Sequence, residues 1–471
     1  MSIQRSSLDR DLINKILNNV PNYQYFKTFD ELEVSSEELA REHRDIVRIV
    51  EIGRTRCKEK IRALIIGKGS RRALLFGAPH PNEPVGTLVL DYLSSALTSD
   101  QEIHKMFDYT WIIIKAIDID GLKLNEGWLK KPFSIETYAK NYYRPAGNVQ
   151  IEWSFPIKYK RYSFNNPTPE TKALMNIINE YKPDFIYSLH NAGFGGVYYY
   201  ISEEAPLLYP IFQLYPRSLN VPLSLGEPEA PWMIEFTKAI YRMPSVADYY
   251  EFIEKQGLDP TQVIKHGGSS YDYAKNLNPR VVELVTEVPY LYDPKIEDLN
   301  ENKEGVSRRE AVLEALEWRE KMFEFIRDIY LKSKKIIGER DPCSVSGRLM
   351  ESLEYFIETL PKSIEAQKRW AKTDPSLERK ATVAELFDNK YVSKFYTSLS
   401  LGMLYRLLKI EYDKISELRP LFEEVDNKLN ELIRSLEENK SYRVIEIQRL
   451  VKIQLAAGLY TALYTQLTRR G

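Results

Sequence analysis

The feature that most constrains the fold is a change in sequence pattern near residue 303. Before it, apolar segments of strand length alternate with segments of helical periodicity, separated by glycine and proline. This alternation is typical of an α/β protein with a mixed, mostly parallel sheet and helices on both faces. After it, glycine becomes rare and apolar residues follow helical spacing, which predicts an all-α helical bundle. We therefore predict two domains, residues 1–302 and residues 303–471.

Several segments of the first part have the apolar character of buried strands. Residues 109–118 (YTWIIIKAID) are so continuously apolar that we expect a central parallel strand covered on both faces. Residues 61–66 and 71–76 flank the sequence GKGS, which predicts a hairpin joining two strands. Residues 184–190 (DFIYSLH) and 280–291 are further strands. Ligands of such a sheet are expected at the carboxyl ends of its strands.

The last segment carries one apolar stripe on a predicted helix, from Val444 to Leu463. We interpret this stripe as core, since amphipathic patterning is far commoner than a cofactor site. Gly458 lies beside the stripe and would let a neighbouring helix approach closely.

The composition narrows the classes of partner and the cellular compartment. The 66 basic and 67 acidic residues nearly cancel, so no global charge favours nucleic acid or an anionic membrane. No segment has the length and apolarity of a membrane span, and the amino terminus is charged where a secretory signal would be apolar. Cys57 and Cys343 lie far apart in sequence, so we expect neither a disulfide framework nor a thiolate metal site. These observations predict a cytoplasmic protein in a reducing compartment.

Histidine and glutamate side chains lie where predicted strands end. His80 and Glu83 follow the strand at 71–76 in the sequence HPNE, and His190 ends the strand at 184–190. Because parallel strands end at one edge of a sheet, we expect the imidazoles to converge there. Two imidazole nitrogens and one carboxylate suit Zn²⁺ and leave a position for water. The alternative is that each histidine is a hydrogen-bonded, half-buried residue, since an H-x-x-E pair also arises by chance.

Further motifs resemble the zinc carboxypeptidases related to carboxypeptidase A, from about residue 23 to residue 300. The matching segments are IVRIVEIGRTRCKEKIRALIIG (46–67), HPNE (80–83), IDIDG (117–121), TPETKAL (168–174), SLH (188–190), GGSSYDYAKN (267–276) and LVTEVP (284–289). Their order and spacing carry the resemblance, which leaves the helical region unexplained. The resemblance implies a metallopeptidase, a hydrolase with zinc held by His80, Glu83 and His190.

The resemblance also implies a general base and a group that stabilises an oxyanion. Glu287, in LVTEVP, is the candidate base, which takes a proton from water and returns it to the leaving amine. Glu283 is its rival, because strand alternation places both side chains on one face. Arg144, in NYYRPAGN, stands roughly where the family has its oxyanion-stabilising arginine. The alternatives are an exposed or ion-paired glutamate and a surface arginine.

The sequence departs from the family where the family binds the terminal carboxylate of a peptide. Glu152 and Trp153 stand in place of its Asn-Arg pair, and a buried carboxylate there would repel a substrate carboxylate. We therefore expect a substrate with an amine or another cation near the cleaved amide, on which Trp153 can pack. Gln150 replaces an aspartate and can still accept an imidazole N–H.

A second departure lies in GGSSYDYAKN. When this segment is aligned without a gap, Lys275 falls where the family has a mobile tyrosine. Lys275 would supply positive charge to a substrate carboxylate, or it is a solvated lysine. Tyr271 and Tyr273 are nearby substitutes for the tyrosine.

Together these features predict zinc-dependent hydrolysis of an amide or peptide bond. The expected partner is a peptide or small amide, with no nucleic acid and no membrane. One alternative is a deacylase of N-acyl amino compounds, and another is a non-catalytic binder on a degenerate peptidase fold, which loss of the Asn-Arg pair favours. A third makes the helical region an assembly or docking module, through which the chain would form a homo-oligomer.

Overall fold

The computed structural model describes residues 3–438 and 441–469. Its strands are β1 (Val47–Arg54), β2 (Lys60–Ile66), β3 (Arg71–Gly77), β4 (Tyr109–Ile114), β5 (Ile157–Tyr159), β6 (Tyr162–Phe164), β7 (Phe185–His190), β8 (Tyr198–Ile201), β9 (Glu235–Thr237), β10 (Ile240–Arg242), β11 (Val282–Glu287), β12 (Leu291–Tyr292) and β13 (Arg443–Val444). Its helices are α1 (Ile3–Asn18), α2 (Phe29–Glu42), α3 (Val85–Ser99), α4 (Gln101–Met106), α5 (Ile119–Leu129), α6 (Ile135–Asn141), α7 (Pro169–Tyr181), α8 (Tyr209–Ser218), α9 (Val246–Lys255), α10 (Pro260–Val263), α11 (Ser270–Ala274), α12 (Arg308–Ile337), α13 (Val345–Thr373), α14 (Val383–Phe387), α15 (Ser393–Tyr412), α16 (Arg419–Glu437) and α17 (Ile447–Thr468).

Nine of these strands form one mixed sheet in the order β1-β2-β4-β3-β7-β11-β8-β10-β9. Strands β4, β3, β7 and β11 run parallel at its centre, and β2 and β8 flank them in antiparallel pairing. Every residue of β7 and β11 is buried, so both faces of the sheet are covered there. The predicted fold class is confirmed, and the chain beyond this sheet is mainly helical.

The predicted hairpin between β2 and β3 is wrong. Strand β2 pairs antiparallel with β4, and β3 pairs parallel with β4, so β4 lies between them. The prediction used only the turn chemistry of GKGS. The continuously apolar β4 buries its backbone and side chains best with a neighbour on each side, and this requirement outweighs the local preference for a hairpin.

The last helix, α17, leaves the helical bundle and packs against α3, β7 and β11. Gly458 lies against Tyr187 of β7, where a Cβ would come within 2.5 Å of a ring carbon. The close neighbour of this glycine is therefore a strand side chain and not the expected helix. The main hydrophobic core includes Val285 of the sheet and Leu455 of α17. The two parts share one core, and the division at residue 303 stays a prediction.

Cys57 and Cys343 form a disulfide, which corrects the expectation drawn from their distance in sequence. Cys57 lies in the turn between β1 and β2, and Cys343 precedes α13; their Cα atoms are 5.7 Å apart across a sequence separation of 286. The entropy of closing a loop grows only logarithmically with its length, so such a separation does not prevent pairing. The argument from cysteine for a reducing compartment therefore fails, and the cytoplasmic location stays a prediction without that support.

Among the described helices, none combines the length and the apolarity that a membrane span requires.

We expect the Cys57→Ser/Cys343→Ser double variant to unfold more easily than the wild type. A disulfide that closes a long loop restricts the unfolded chain, and its loss lowers the free energy of unfolding by about 2–5 kcal/mol. Urea and thermal unfolding without reductant measure this difference. Reductant should lower the stability of the wild type to that of the double variant and leave the variant unchanged. Equal unfolding midpoints without reductant would contradict the prediction.

Candidate active site

Three predicted site residues stand at the carboxyl ends of neighbouring parallel strands. His190 and Glu287 are the last residues of β7 and β11 and pair directly in register. His80 lies three residues after the end of β3, and Glu83 lies in the turn that leads into α3. Parallel pairing of these strands brings residues from distant parts of the sequence to one edge of the sheet.

The three predicted metal ligands converge at this edge. His190 Nδ1 lies 3.1 Å from His80 Nδ1 and 3.0 Å from Glu83 Oε2. His80 Nδ1 lies 3.2 Å from each oxygen of Glu83. One ligand atom from each residue lies within 4.8 Å of the other two, and all three residues are buried.

The chemistry of this donor set fits a catalytic zinc ion, which takes three protein ligands and keeps one open position. Ser188 Oγ lies 2.8 Å from His190 Nε2, which leaves Nδ1 facing the other ligands. Burial and the charge of Arg144 lower the pKa of His80 to about 3, so its imidazole is neutral, as metal binding requires. Burial acts to raise the pKa of Glu83, but its contacts with both histidines and Arg144 outweigh this effect and hold its pKa low.

The turn that carries Glu83 is held against β7 by Asn191. The N–H of Asn191 donates to Glu83 Oε2 at 3.1 Å, and its Oδ1 accepts from the N–H of Val85 at 3.2 Å. Gly86 lies in the first turn of α3, where a Cβ would come within 2.5 Å of the Cβ of Leu189. Glycine therefore permits the close approach of α3 to β7 that brings Glu83 to the histidines.

The helical region also fixes the strand ends, through Gln454 of α17. Its Nε2 donates to the backbone carbonyls of His190 and Thr286, at the ends of β7 and β11. Tyr187 O–H donates to the backbone carbonyl of Gln454 at 2.8 Å. Because Gln454 is fully buried, these bonds are shielded from water and hold α17 in register with the site.

Both predicted catalytic residues face the three ligands. Arg144 Nη1 donates to Glu83 Oε1 at 2.9 Å, and Arg144 Nη2 lies 3.0 Å from His80 Nδ1. Glu287 Oε1 lies 3.8 Å from His190 Nδ1. Burial raises the pKa of Glu287 well above its usual value, and the charge of Glu83 raises it further. A carboxylate and a guanidinium thus stand on the cavity side of the ligands.

Glu283 occupies a different environment from Glu287. Ser270 Oγ lies 2.6 Å from Glu283 Oε1 and 3.0 Å from Glu152 Oε1, so one hydroxyl proton stands between two buried carboxyl groups. Burial raises the pKa of both groups, that of Glu152 to about 7. Glu152 and Trp153 line the same cavity as the metal ligands, whereas Glu283 is not among its lining residues.

Lys275, Tyr271 and Tyr273 lie outside the cavity formed by the described residues, and their role as substrate contacts stays a prediction. Lys275 Nζ donates to Asp272 Oδ1 at 2.7 Å and lies 5.0 Å from the centre of the Tyr271 ring. Tyr273 O–H donates to Asn179 Oδ1 at 3.0 Å. The ungapped alignment assigned these residues to the site, but they pack on their own segment and on α7.

The expected hydrogen bond from an imidazole to Gln150 does not form. Gln150 Nε2 instead donates to the carbonyl of Pro145 at 2.9 Å. His80 Nε2 is buried without a hydrogen-bond partner among the residues that the structure describes. The corresponding atom of the second histidine, His190 Nε2, is hydrogen-bonded to Ser188 Oγ.

The cavity has a volume of about 840 Å³ and includes residues that sequence reasoning missed. Glu229 lines it and accepts hydrogen bonds from the hydroxyls of Tyr198 and Tyr200, the latter at 2.7 Å. Strand alternation in β8 places the two tyrosines on one face, but Glu229 comes from a long loop without a recognisable pattern. Side chains of α12, α13 and α15 supply another wall, which no motif in the helical region indicated.

Comparison with known proteins agrees with this fold and this site. The sequence matches the family model described as zinc carboxypeptidase over residues 32–288, more than half of the chain. The chain therefore belongs to the zinc carboxypeptidase family, which confirms the resemblance.

The chain is similar to carboxypeptidase A from Helicoverpa armigera, at 16% identity over 61% of this chain and 72% of that chain, with a TM-score of 0.35. It is also similar to a metallo-carboxypeptidase from Burkholderia cenocepacia, at 15% identity over 58% of this chain and 61% of that chain, with a TM-score of 0.34. No curated protein matches the sequence.

We expect the purified protein to bind one zinc ion per chain and to lose thermal stability on chelation. Zinc at a hundred times its dissociation constant would stabilise the folded state by about 2.7 kcal/mol. Elemental analysis and thermal unfolding with and without added zinc measure both effects. His190→Ala should abolish the zinc-dependent shift, and His43→Ala, which changes a histidine outside the cluster, should retain it. An equal shift in both variants would show that the ion binds elsewhere.

Proposed function

We propose that the protein hydrolyses an amide or peptide bond with zinc held by His80, Glu83 and His190. The observation that supports this function most directly is the convergence of these ligands beside the buried carboxylate of Glu287. When bound there, Zn²⁺ would polarise the substrate carbonyl and lower the pKa of water to about 7.

Glu287 would act as the general base and then as the general acid. Its carboxylate is buried and its pKa is raised, so it holds a proton more readily than an ordinary glutamate does. A group with such a pKa can take a proton from water at Oε1 and return it to the leaving amine. Its position at the end of β11, in register with His190, supports this role.

Arg144 would stabilise the negative charge that develops on the substrate carbonyl oxygen. Its guanidinium already contacts one atom of Glu83 and one of His80, so it reaches the ligand atoms directly. A planar guanidinium keeps its charge at every physiological pH and offers several N–H donors to one oxygen.

Glu287→Gln should lower kcat by about 10²- to 10⁴-fold without loss of zinc, because the amide cannot accept the proton. Glu283→Gln is the matched control on the same face of the same strand, and it should keep kcat near the wild-type value. Turnover of an amide-substrate library and elemental analysis measure the two effects. Loss of turnover in Glu283→Gln but not in Glu287→Gln would show that Glu283 is the base.

The amine-bearing substrate predicted from Glu152 is supported by the position of this residue in the cavity. Glu152 is buried beside Ser270, and Trp153 presents a half-buried ring to the same space. A carboxylate with an adjacent aromatic face suits an ammonium group of the substrate, whereas a substrate carboxylate would be repelled.

Glu152→Gln should lower kcat/KM for amides with a cationic group near the cleaved bond by about 10-fold, the value of one charged hydrogen bond. Neutral amides serve as the control and should be unaffected. Because the pKa of Glu152 is raised to about 7, its charge and the wild-type preference for cations should both increase as pH rises through 7. Equal losses for cationic and neutral amides would refute the assignment.

A further inference from the structure

The wall of the cavity formed by the helical region contains one arginine. Helix α12 presents Val312, Ala315, Leu316 and Arg319 to the cavity, at the spacing of one helix face. Helices α13 and α15 complete this wall mainly with apolar, aromatic and hydroxyl side chains. Arg319 is the residue of α12 that brings a charge into this space.

Arg319 has no partner in the part of the chain that the structure describes. No hydrogen bond, ion pair or ring contact involves its side chain, which is half-buried and open to the cavity. Burial lowers the pKa of Arg319. A charge that is partly removed from water without a partner is unfavourable, and proteins usually pair such groups. This guanidinium is thus poised for an anion from outside the chain.

Arg319 differs from the other charged groups of the cavity because it is a cation without a partner among the described residues. The second arginine among the described cavity residues, Arg144, is already bound to Glu83, and no lysine is present there. The remaining ionisable side chains of the cavity, apart from histidines and tyrosines, are carboxylic acids, and these are Glu83, Glu152, Glu227, Glu229, Glu287 and Asp388. A substrate anion is disfavoured near these acids and favoured at Arg319.

We propose that Arg319 binds a carboxylate of the substrate, at a point removed from the bond that is cut, so that the helical region forms part of the substrate site. A guanidinium suits this ligand because its parallel N–H donors match the two oxygens of a carboxylate. The separation from the cleaved bond follows from the position of α12, which packs on α13 and α15, whereas His190 and Glu287 stand at the ends of β7 and β11. That the bound carboxylate belongs to a substrate rests on the proposed function. The test therefore measures binding and cleavage separately.

The test measures binding of defined peptides by calorimetry to zinc-loaded protein that carries Glu287→Gln, so that peptide is not consumed. The probes are N-acetylated pentapeptides that contain one lysine as the cation, in matched pairs with glutamate or glutamine at each other position and with a free or amidated carboxyl end. We expect one position at which the carboxylate binds about 10-fold more tightly than its neutral pair. Arg319→Met should remove this preference, and Arg319→Lys, which keeps the charge without the planar fork, should retain part of it.

Arg327→Met is the matched control, since Arg327 lies on the same helix and pairs with Asp328 outside the cavity. This variant should bind every probe as the parent protein does. The inference is overturned if no position prefers a carboxylate, or if the preference survives in Arg319→Met. Arg319→Gln replaces Arg319→Met in this test if Arg319→Met does not fold. Wild-type turnover is measured on the same peptides. Binding preference without any turnover would refute the proposed function alone, and turnover without preference would refute this inference alone.

Discussion

The parallel pairing of β3, β7 and β11 is the constraint on which the candidate site depends. Glu287 pairs with His190, and Leu189 pairs with Gly77, the residue that ends β3. Side chains alternate between the faces of a sheet, so a slip of one residue would turn each of these side chains to the opposite face. Both faces of β7 and β11 are buried, so such a slip would force side chains of the wrong size and polarity into each closely packed face. Core packing therefore sets the geometry of the ligands.

The helical region, although distant in sequence, also helps to fix the arrangement of the metal ligands. Gln454 bonds to the carbonyls at the ends of β7 and β11, and Gly458 admits the ring of Tyr187. Arg348 of α13 forms a buried ion pair with Asp120 at 3.0 Å. The disulfide joins the same helical region to the turn after β1. The helices thus support the strand ends as well as lining the cavity, and a functional division at residue 303 does not follow from the change in sequence pattern.

The features predicted correctly from the sequence are those with a local signal. His190 follows a continuous apolar run, and His80 and Glu83 follow another, so their positions at strand ends can be read without the fold. Features that depend on distant segments were missed or wrong, such as the place of β4 in the sheet and the pairing of Cys57 with Cys343. No local pattern specifies which strand separates two others, or which loops meet in space.

Under the proposed function, the distribution of charge in the cavity would explain why the family's carboxylate-binding pair can be lost without loss of the metal ligands. Five of the six acids lie with the metal ligands and along the loops of the α/β part, whereas Arg319 lies on α12 and the sixth acid, Asp388, lies between α14 and α15. A substrate with a cation near the cleaved bond and an anion farther away would satisfy both regions in one orientation and be repelled in the reverse one. Under the proposed function, exchange of Asn-Arg for Glu152 and Trp153 would change which end of the substrate meets Glu287 and Arg144, while the chemistry at His80, Glu83 and His190 would need no change.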